Sequence, residues 1–215
     1  MNKIKKLVNE LVVDYSENDM VTLTVEKTNL KKLLKILKES QDLKFTQLID
    51  LCAVDFIDYG KSEWETKEAT SSGYNRGINP QSHSRIDFVN EDEVEEYKLT
   101  VVYHLLSMDF NMRIRIKCNL DNDSLIIPSV TEIFASADWY EREAYDLFGV
   151  LFEGHNDLRR ILTDYGFIGH PFRKKFPLTG YTQVKYDPEK KQVVNEPVDI
   201  KARTLVPKVI RKNDE

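Results

Sequence analysis

The chain has 215 residues, with 31 Lys+Arg against 36 Asp+Glu, a net charge of −5, and 41% hydrophobic residues. That is enough apolar material for a sizeable core and excludes a fully disordered chain, while the lack of any run of about 18 apolar residues excludes a membrane-spanning helix. The basic start has no apolar run behind it, so no secretory leader is read there, and two cysteines, Cys52 and Cys118, cannot alone supply an iron–sulfur cluster or a structural zinc site.

In chain order, residues 2–11 suit a short helix, and residues 20–25 alternate so that Val21, Leu23 and Val25 share one face of a strand. Thr28 or Asn29 can cap a helix carrying Leu30, Leu33, Leu34 and Leu37 on its apolar stripe and Lys31, Lys32, Lys35 and Lys38 outside. Residues 45–56, apolar but interrupted by Asp50 and Asp55, read as a bulged strand. Residues 60–96 are long, polar and acidic, and are expected to be a surface insertion.

Two further strands follow at 99–106 and 112–118, the second with Met112, Ile114, Ile116 and Cys118 inward and Arg113, Arg115 and Lys117 outward. The short connection between them predicts an antiparallel hairpin. Ser129 with Glu132, and again Asp138 with Glu141, have the spacing of a capping box, and Gly149 is placed to close the second helix. On that helix Glu143 falls between Trp139 and Leu147, which predicts a carboxylate on the apolar side in need of a cation. Arg142 and Asp146 stand four apart and are expected to pair. The expected fold is α+β: a body over 1–148 with a mostly antiparallel or mixed sheet and covering helices.

From 149 onward the composition changes. Residues 154–215 hold 13 basic and 8 acidic residues, a net +5 that leaves 1–153 at −10, and five of the seven prolines. A weakly periodic, proline-spaced stretch of this kind predicts an extended arm over 149–215.

Charged residues and glycines are densest in Glu141-Arg142-Glu143-Ala144-Tyr145-Asp146-Leu147-Phe148-Gly149 and Gly154-His155-Asn156-Asp157-Leu158-Arg159-Arg160-Ile161-Leu162. Then come Thr163-Asp164-Tyr165-Gly166-Phe167-Ile168-Gly169-His170-Pro171, with Arg173 close behind, and Phe176-Pro177-Leu178-Thr179-Gly180-Tyr181. In these runs the chain resembles the 30-kDa subunit, also called the C subunit, of the proton-pumping NADH:quinone oxidoreductase, respiratory complex I. The likeness is close over 128–200 and looser at 48–55 and 99–107. Asn156 stands where the family usually has proline and Lys175 where it usually has aspartate.

The resemblance implies a hydrophilic-arm subunit that carries no flavin, iron–sulfur cluster or quinone itself and packs against the cluster-bearing and quinone-site subunits. Such a chain is peripheral, on the cytoplasmic face of a bacterial membrane or the matrix side of an organelle's. Equivalent subunits of related hydrogenase or chloroplast-type assemblies are the alternative. Independently, the absence of a Gly-rich dinucleotide fingerprint or a Walker motif argues against a redox or nucleotide centre in this chain.

His155 with Asp157 and Arg159, or His170 beside Arg173, has the residue types of acid–base chemistry, yet the nearby hydroxyls of Thr163 and Tyr165 lie in a turn-rich arm. No Cys or His pair has zinc-ligand spacing. The acidic residues scattered among the tail's Lys and Arg, Asp157, Asp164, Asp187, Glu189 and Glu196, oppose nucleic-acid binding. The expected role of Glu141, Arg142, Glu143, Asp146, His155, Asp157, Arg159, Arg160, Asp164, His170 and Arg173 is therefore ion pairing at a turn or interface. Aromatics such as Tyr165 and Tyr181 are expected to serve as apolar anchors on partners.

Overall fold

The structure is a computed structural model that describes residues 4, 7–8, 11–17, 20–57, 99–120 and 124–198. Residues 4, 7 and 8 are helical and bury Ile4 and Val8; the rest of the helix expected over 2–11, and the 60–96 insertion, lie outside the described residues.

Strands β1 (Val12–Glu17), β2 (Val21–Val25), β3 (Gln47–Asp55), β4 (Leu99–Ser107) and β5 (Met112–Leu120) form one mixed sheet in the order β1-β2-β5-β4-β3. β4 and β5 make the expected antiparallel hairpin, with Tyr103 opposite Ile116 and Leu105 opposite Ile114. β3 pairs antiparallel with β4, and its register shifts between Leu48 and Asp50, the bulge that the interrupted apolar run predicts. The parallel pairing of β2 with β5 makes helix α1 (Leu30–Glu39) part of a long crossover.

One face of the sheet is dry. Leu23, Val25, Leu51, Tyr103, Ile114, Ile116 and Cys118 are buried there together with Leu30, Leu33, Leu34 and Leu37 of α1. These four leucines follow the helical period, so α1 lays one continuous stripe on the core. Asn29 occupies the N-cap position of α1 but makes no side-chain cap bond.

A second layer comes from 125–153. Strands β6 (Ile126–Pro128) and β7 (Leu151–Glu153) pair in parallel around helix α2 (Ala137–Phe148), which packs against β3. The expected capping box at Ser129 is instead a turn: the Ser129 hydroxyl meets Thr131, and the helix starts later. Ser136 is the N-cap of α2, without a side-chain cap bond, so Asp138 and Glu141 do not form a capping box either. Gly149 closes α2 in the left-handed region, φ 74° and ψ 31°, as expected.

The chain divides into two compact units, 1–174 and 175–215. The arm that the sequence starts at 149 thus has its first part in the body's unit: Val150 and Phe152 are core residues, and 158–174 bonds to α2. The second unit contains an antiparallel hairpin, β8 (Thr182–Asp187) with β9 (Gln192–Pro197), where weak periodicity suggests only extended chain. Among the described residues no helix is long and apolar enough to cross a membrane.

Candidate functional site

Every helix ends with orphan carbonyls. At the end of α2 the chain itself returns to satisfy them. Tyr145 O accepts the Gly149 N–H at 2.9 Å, Leu147 O the Phe172 N–H at 3.1 Å, and Phe148 O the Arg173 Nε–H at 2.6 Å. His170 Nδ1 lies 3.0 Å from Asp146 O, which accepts its proton. The Arg173 cation also sits where the helix dipole is negative. Phe172 meets Phe148 edge to face at 5.7 Å, an apolar contact beside the cap.

Asp146 organises the same return from inside. Its side chain is fully buried, and one oxygen, Oδ2, accepts the backbone N–H groups of Ile161 (3.0 Å), Leu162 (2.7 Å) and Thr163 (2.9 Å). Oδ1 accepts the Thr163 hydroxyl at 2.5 Å and Arg160 at 3.1 Å. Burial alone would raise this carboxyl, but the Thr163 hydroxyl and the three N–H groups outweigh it and hold the pKa at about 2. Arg160 in turn donates to Gly169 O at 2.9 Å and lies over the Phe167 ring. One aspartate and one arginine thereby fold 160–170 into a compact loop.

A second cluster lies toward the start of α2. Arg142 pairs with Asp138 at 2.9 Å and with Asp157 at 3.4 Å. Its expected partner Asp146 is taken by Arg160. His155, whose side chain is fully buried, accepts the Asp157 N–H on Nδ1 at 3.0 Å, so its proton lies on Nε2, facing Asp138 O at 3.2 Å. Glu141 is also fully buried: Oε1 accepts the Val130 N–H at 2.7 Å, and Oε2 has no hydrogen-bond partner among the described residues. Burial pushes its pKa up, against the lowering effects of Val130, Ser129 and His155. His170 is pushed down by burial and by the neighbouring Arg173 and Arg160.

The structure thus brings Glu141, Arg142, Asp146, His155, Asp157, Arg160, His170 and Arg173 together around α2. Arg159 pairs with Asp157 at the surface, and Asp164 and Tyr165 stand on an exposed turn outside the cluster. Tyr181 belongs to the second unit, where it packs edge-on against Phe176 at 5.1 Å.

Glu143 corrects the sequence reading: it is exposed, beside Trp139, which is itself 60% exposed. The apolar side that the sequence reading places between Trp139 and Leu147 is rotated from the true buried face of α2, which runs through Ala137, Glu141 and Ala144, while 160–163 covers Asp146. Thr163 and Asp138 escape the sequence reading as polar partners. A hydroxyl three residues beyond Arg160 is the only local signal for the first, and the four-residue step to Arg142 is the signal for the second.

The family described as "Respiratory-chain NADH dehydrogenase, 30 Kd subunit" matches residues 23–182. The C subunit of the NADH-quinone oxidoreductase of Legionella pneumophila (strain Corby) is 47% identical over 207 residues, 96% of this chain and 87% of that protein. The corresponding C subunit of Hydrogenovibrio crunogenus is 45% identical over 217 residues, 99% of this chain and 94% of the relative. A chain in the structure of the membrane-bound sulfane sulfur reductase, an archaeal respiratory membrane complex, shares the fold at TM-score 0.55 and 22% identity, covering 82% of this chain and 85% of that one. With the matched span running from β2 through the whole α2 cluster, the chain belongs to the family of the 30-kDa subunit of respiratory-chain NADH dehydrogenase, the C subunit of NADH-quinone oxidoreductase.

Proposed function

We propose that this chain is a non-catalytic scaffold of the oxidoreductase's hydrophilic arm, peripheral to the membrane on its cytoplasmic side, or on the matrix side in an organelle. It holds neither flavin, cluster nor quinone, and it docks onto the subunits that carry clusters and the quinone site. The observation that carries this reading is the loop pinned by Asp146 and Arg160. Its polar groups turn inward to the helix end, and Leu162, Tyr165 and Ile168 stand 61%, 97% and 82% exposed. An apolar group held outward on a rigid support is an interface anchor, since it adds nothing to its own unit's core. The 175–215 unit, taken by itself, serves as an assembly clamp on those subunits.

A Tyr165→Ser, Ile168→Ser double variant tests this. The free chain should unfold at nearly the normal temperature, while the amount of assembled complex falls steeply and NADH:quinone activity falls in proportion. Normal assembly would overturn the scaffold role of this surface. Full assembly with lost turnover would instead place the loop in the reaction.

A further inference from the structure

An open groove of 560 Å³ lies at the end of the sheet where β4 turns into β5, lined by the start of β3 and by 133–136, the approach to α2. The bulge in β3 supplies its outer apolar surface. Ile49, the residue skipped where the register shifts, stands 40% exposed in the lining, and its backbone oxygen accepts the Tyr140 hydroxyl at 2.9 Å. Buried Leu48, Ile133 and Phe134 back the groove from the core. Gln47, Leu106 and Arg113 stand opposite one another on neighbouring strands, so their side chains rise on one face in steps of about 4.8 Å.

Lys38 and Arg113 are the charged residues of this lining, and among the described residues no acid joins them there. Lys38 donates to Ile133 O and lies 5.1 Å from the centre of the Phe134 ring, which holds its ammonium at the wall with further N–H groups to give. Arg113 is exposed, with no ion-pair partner among the described residues. A bare anion would leave the apolar wall unused, and a wholly apolar segment would cover both cations without pairing them, which is costly. The complement is a carboxylate with apolar neighbours, which the planar Arg113 guanidinium can meet with two parallel N–H groups. Exposed Thr46, Gln47 and Ser136 add hydroxyl and amide groups that a peptide backbone can pair with and a hydrocarbon tail cannot.

We infer that the groove receives an extended, acidic and apolar segment of a neighbouring subunit, with its carboxylates paired to Arg113 and Lys38 and an apolar side chain against Ile49 and Leu106. Such a contact rests on the chain's scaffold role and adds a second surface to it. The pinned loop 160–170 lies at the end of α2 and the groove at its start, and the 12 residues of the helix hold its two ends about 18 Å apart. One rigid helix thus carries a docking point at each end.

Carbodiimide coupling in the assembled complex tests this, because it joins an amine directly to a carboxylate that it touches. Arg113→Lys keeps the charge and supplies a reactive amine. The expected product is an isopeptide from that position, or from Lys38, to an aspartate or glutamate of another subunit that has an apolar residue within two positions. Arg113→Glu should leave the free chain's unfolding temperature nearly unchanged and lower the amount of assembled complex several-fold. Replacing the coupled carboxylate with Lys should then restore assembly. Amines left uncoupled at both positions, a product within this chain's own sequence, an amide to a fatty acid, or full assembly of Arg113→Glu would each overturn the inference. The scaffold role fails separately, through normal assembly of the Tyr165→Ser, Ile168→Ser variant.

Discussion

Asp146 and Thr163 are joined twice: the carboxylate accepts the threonine's backbone N–H at 2.9 Å on one oxygen and its hydroxyl at 2.5 Å on the other. Seventeen residues of chain, including β7, are closed by this contact, and the Ile161 and Leu162 N–H groups converge on the same buried oxygen. A carboxylate so surrounded holds its charge without water because each lone pair faces a donor.

Replacing Asp146 with Asn therefore removes the charge that Arg160 faces and puts an N–H₂ group against other donors. Breaking a buried charge pair on one side costs about 3–5 kcal/mol. Denaturant unfolding of D146N should show a loss of that order, with faster amide exchange over 160–170. Glu143→Gln, on the exposed side of the same helix, should stay within about 0.5 kcal/mol of the parent. Equal losses would contradict the assignment of the buried carboxylate.

The pH dependence has opposite signs at the two buried acids. Asp146 is held at about 2, below its ordinary 3.8, so its stabilisation is full above pH 4 and is lost as pH falls from about 4 to 2; this amounts to ~2.4 kcal/mol. Glu141 is raised above 4.5, so its contribution is full below that pH and declines as pH rises through the folded value. Stability measured from pH 2 to 7 should lose its acid limb in D146N, while Glu141→Gln should remove the decline above pH 4.5. A wild-type acid limb preserved in D146N would reject the first assignment.

Gly149 and Gly154 form a controlled pair. Both have positive φ, +74° and +85°, but a Cβ on Gly149 would meet His170 Nε2 at 2.5 Å and Arg173 at 2.7 Å, whereas one on Gly154 meets nothing within 4 Å. Gly154→Ala should cost only the left-handed strain of about 1–2 kcal/mol. Gly149→Ala should cost more and should also displace His170, read as a change in its imidazole NMR shifts. Equal costs with an unmoved His170 would reject the close approach.

Truncation separates the two parts of the sequence's arm. A chain ending at 174 retains Thr163, His170 and Arg173 and should unfold at nearly the full-length temperature. A chain ending at 150 leaves Asp146 buried or half-hydrated without its donors and strips Leu147 and Phe148 of their caps, so its melting temperature should fall by several degrees, ~4 °C or more per 2 kcal/mol lost. Identical unfolding of the two would show that the return loop stabilises nothing.

The elements were legible wherever a residue's environment follows from its own period. The alternation of β5, the leucine stripe of α1, the bulge in β3 and the left-handed Gly149 all came from local spacing, because a strand or helix repeats its buried positions regularly. The run from Glu141 to Tyr181 likewise identified the family from sequence alone, since its charges and glycines recur in fixed order.

Only the tertiary structure decided which carboxylates of α2 are inside. Glu143 lost to Glu141 and Asp146 because burial on that helix is set by two separate covers, the core beneath Ala137 and Ala144 and the loop that returns from residue 160. Arg142 turned from Asp146 to Asp138 and Asp157 for the same reason: the donors that complete Asp146 arrive from 14 to 17 residues downstream. The parallel pairing of β2 with β5 was likewise beyond local periodicity. Side-chain spacing reports a helix's own geometry, but the charge state and partners of a buried acid depend on chain that arrives from elsewhere.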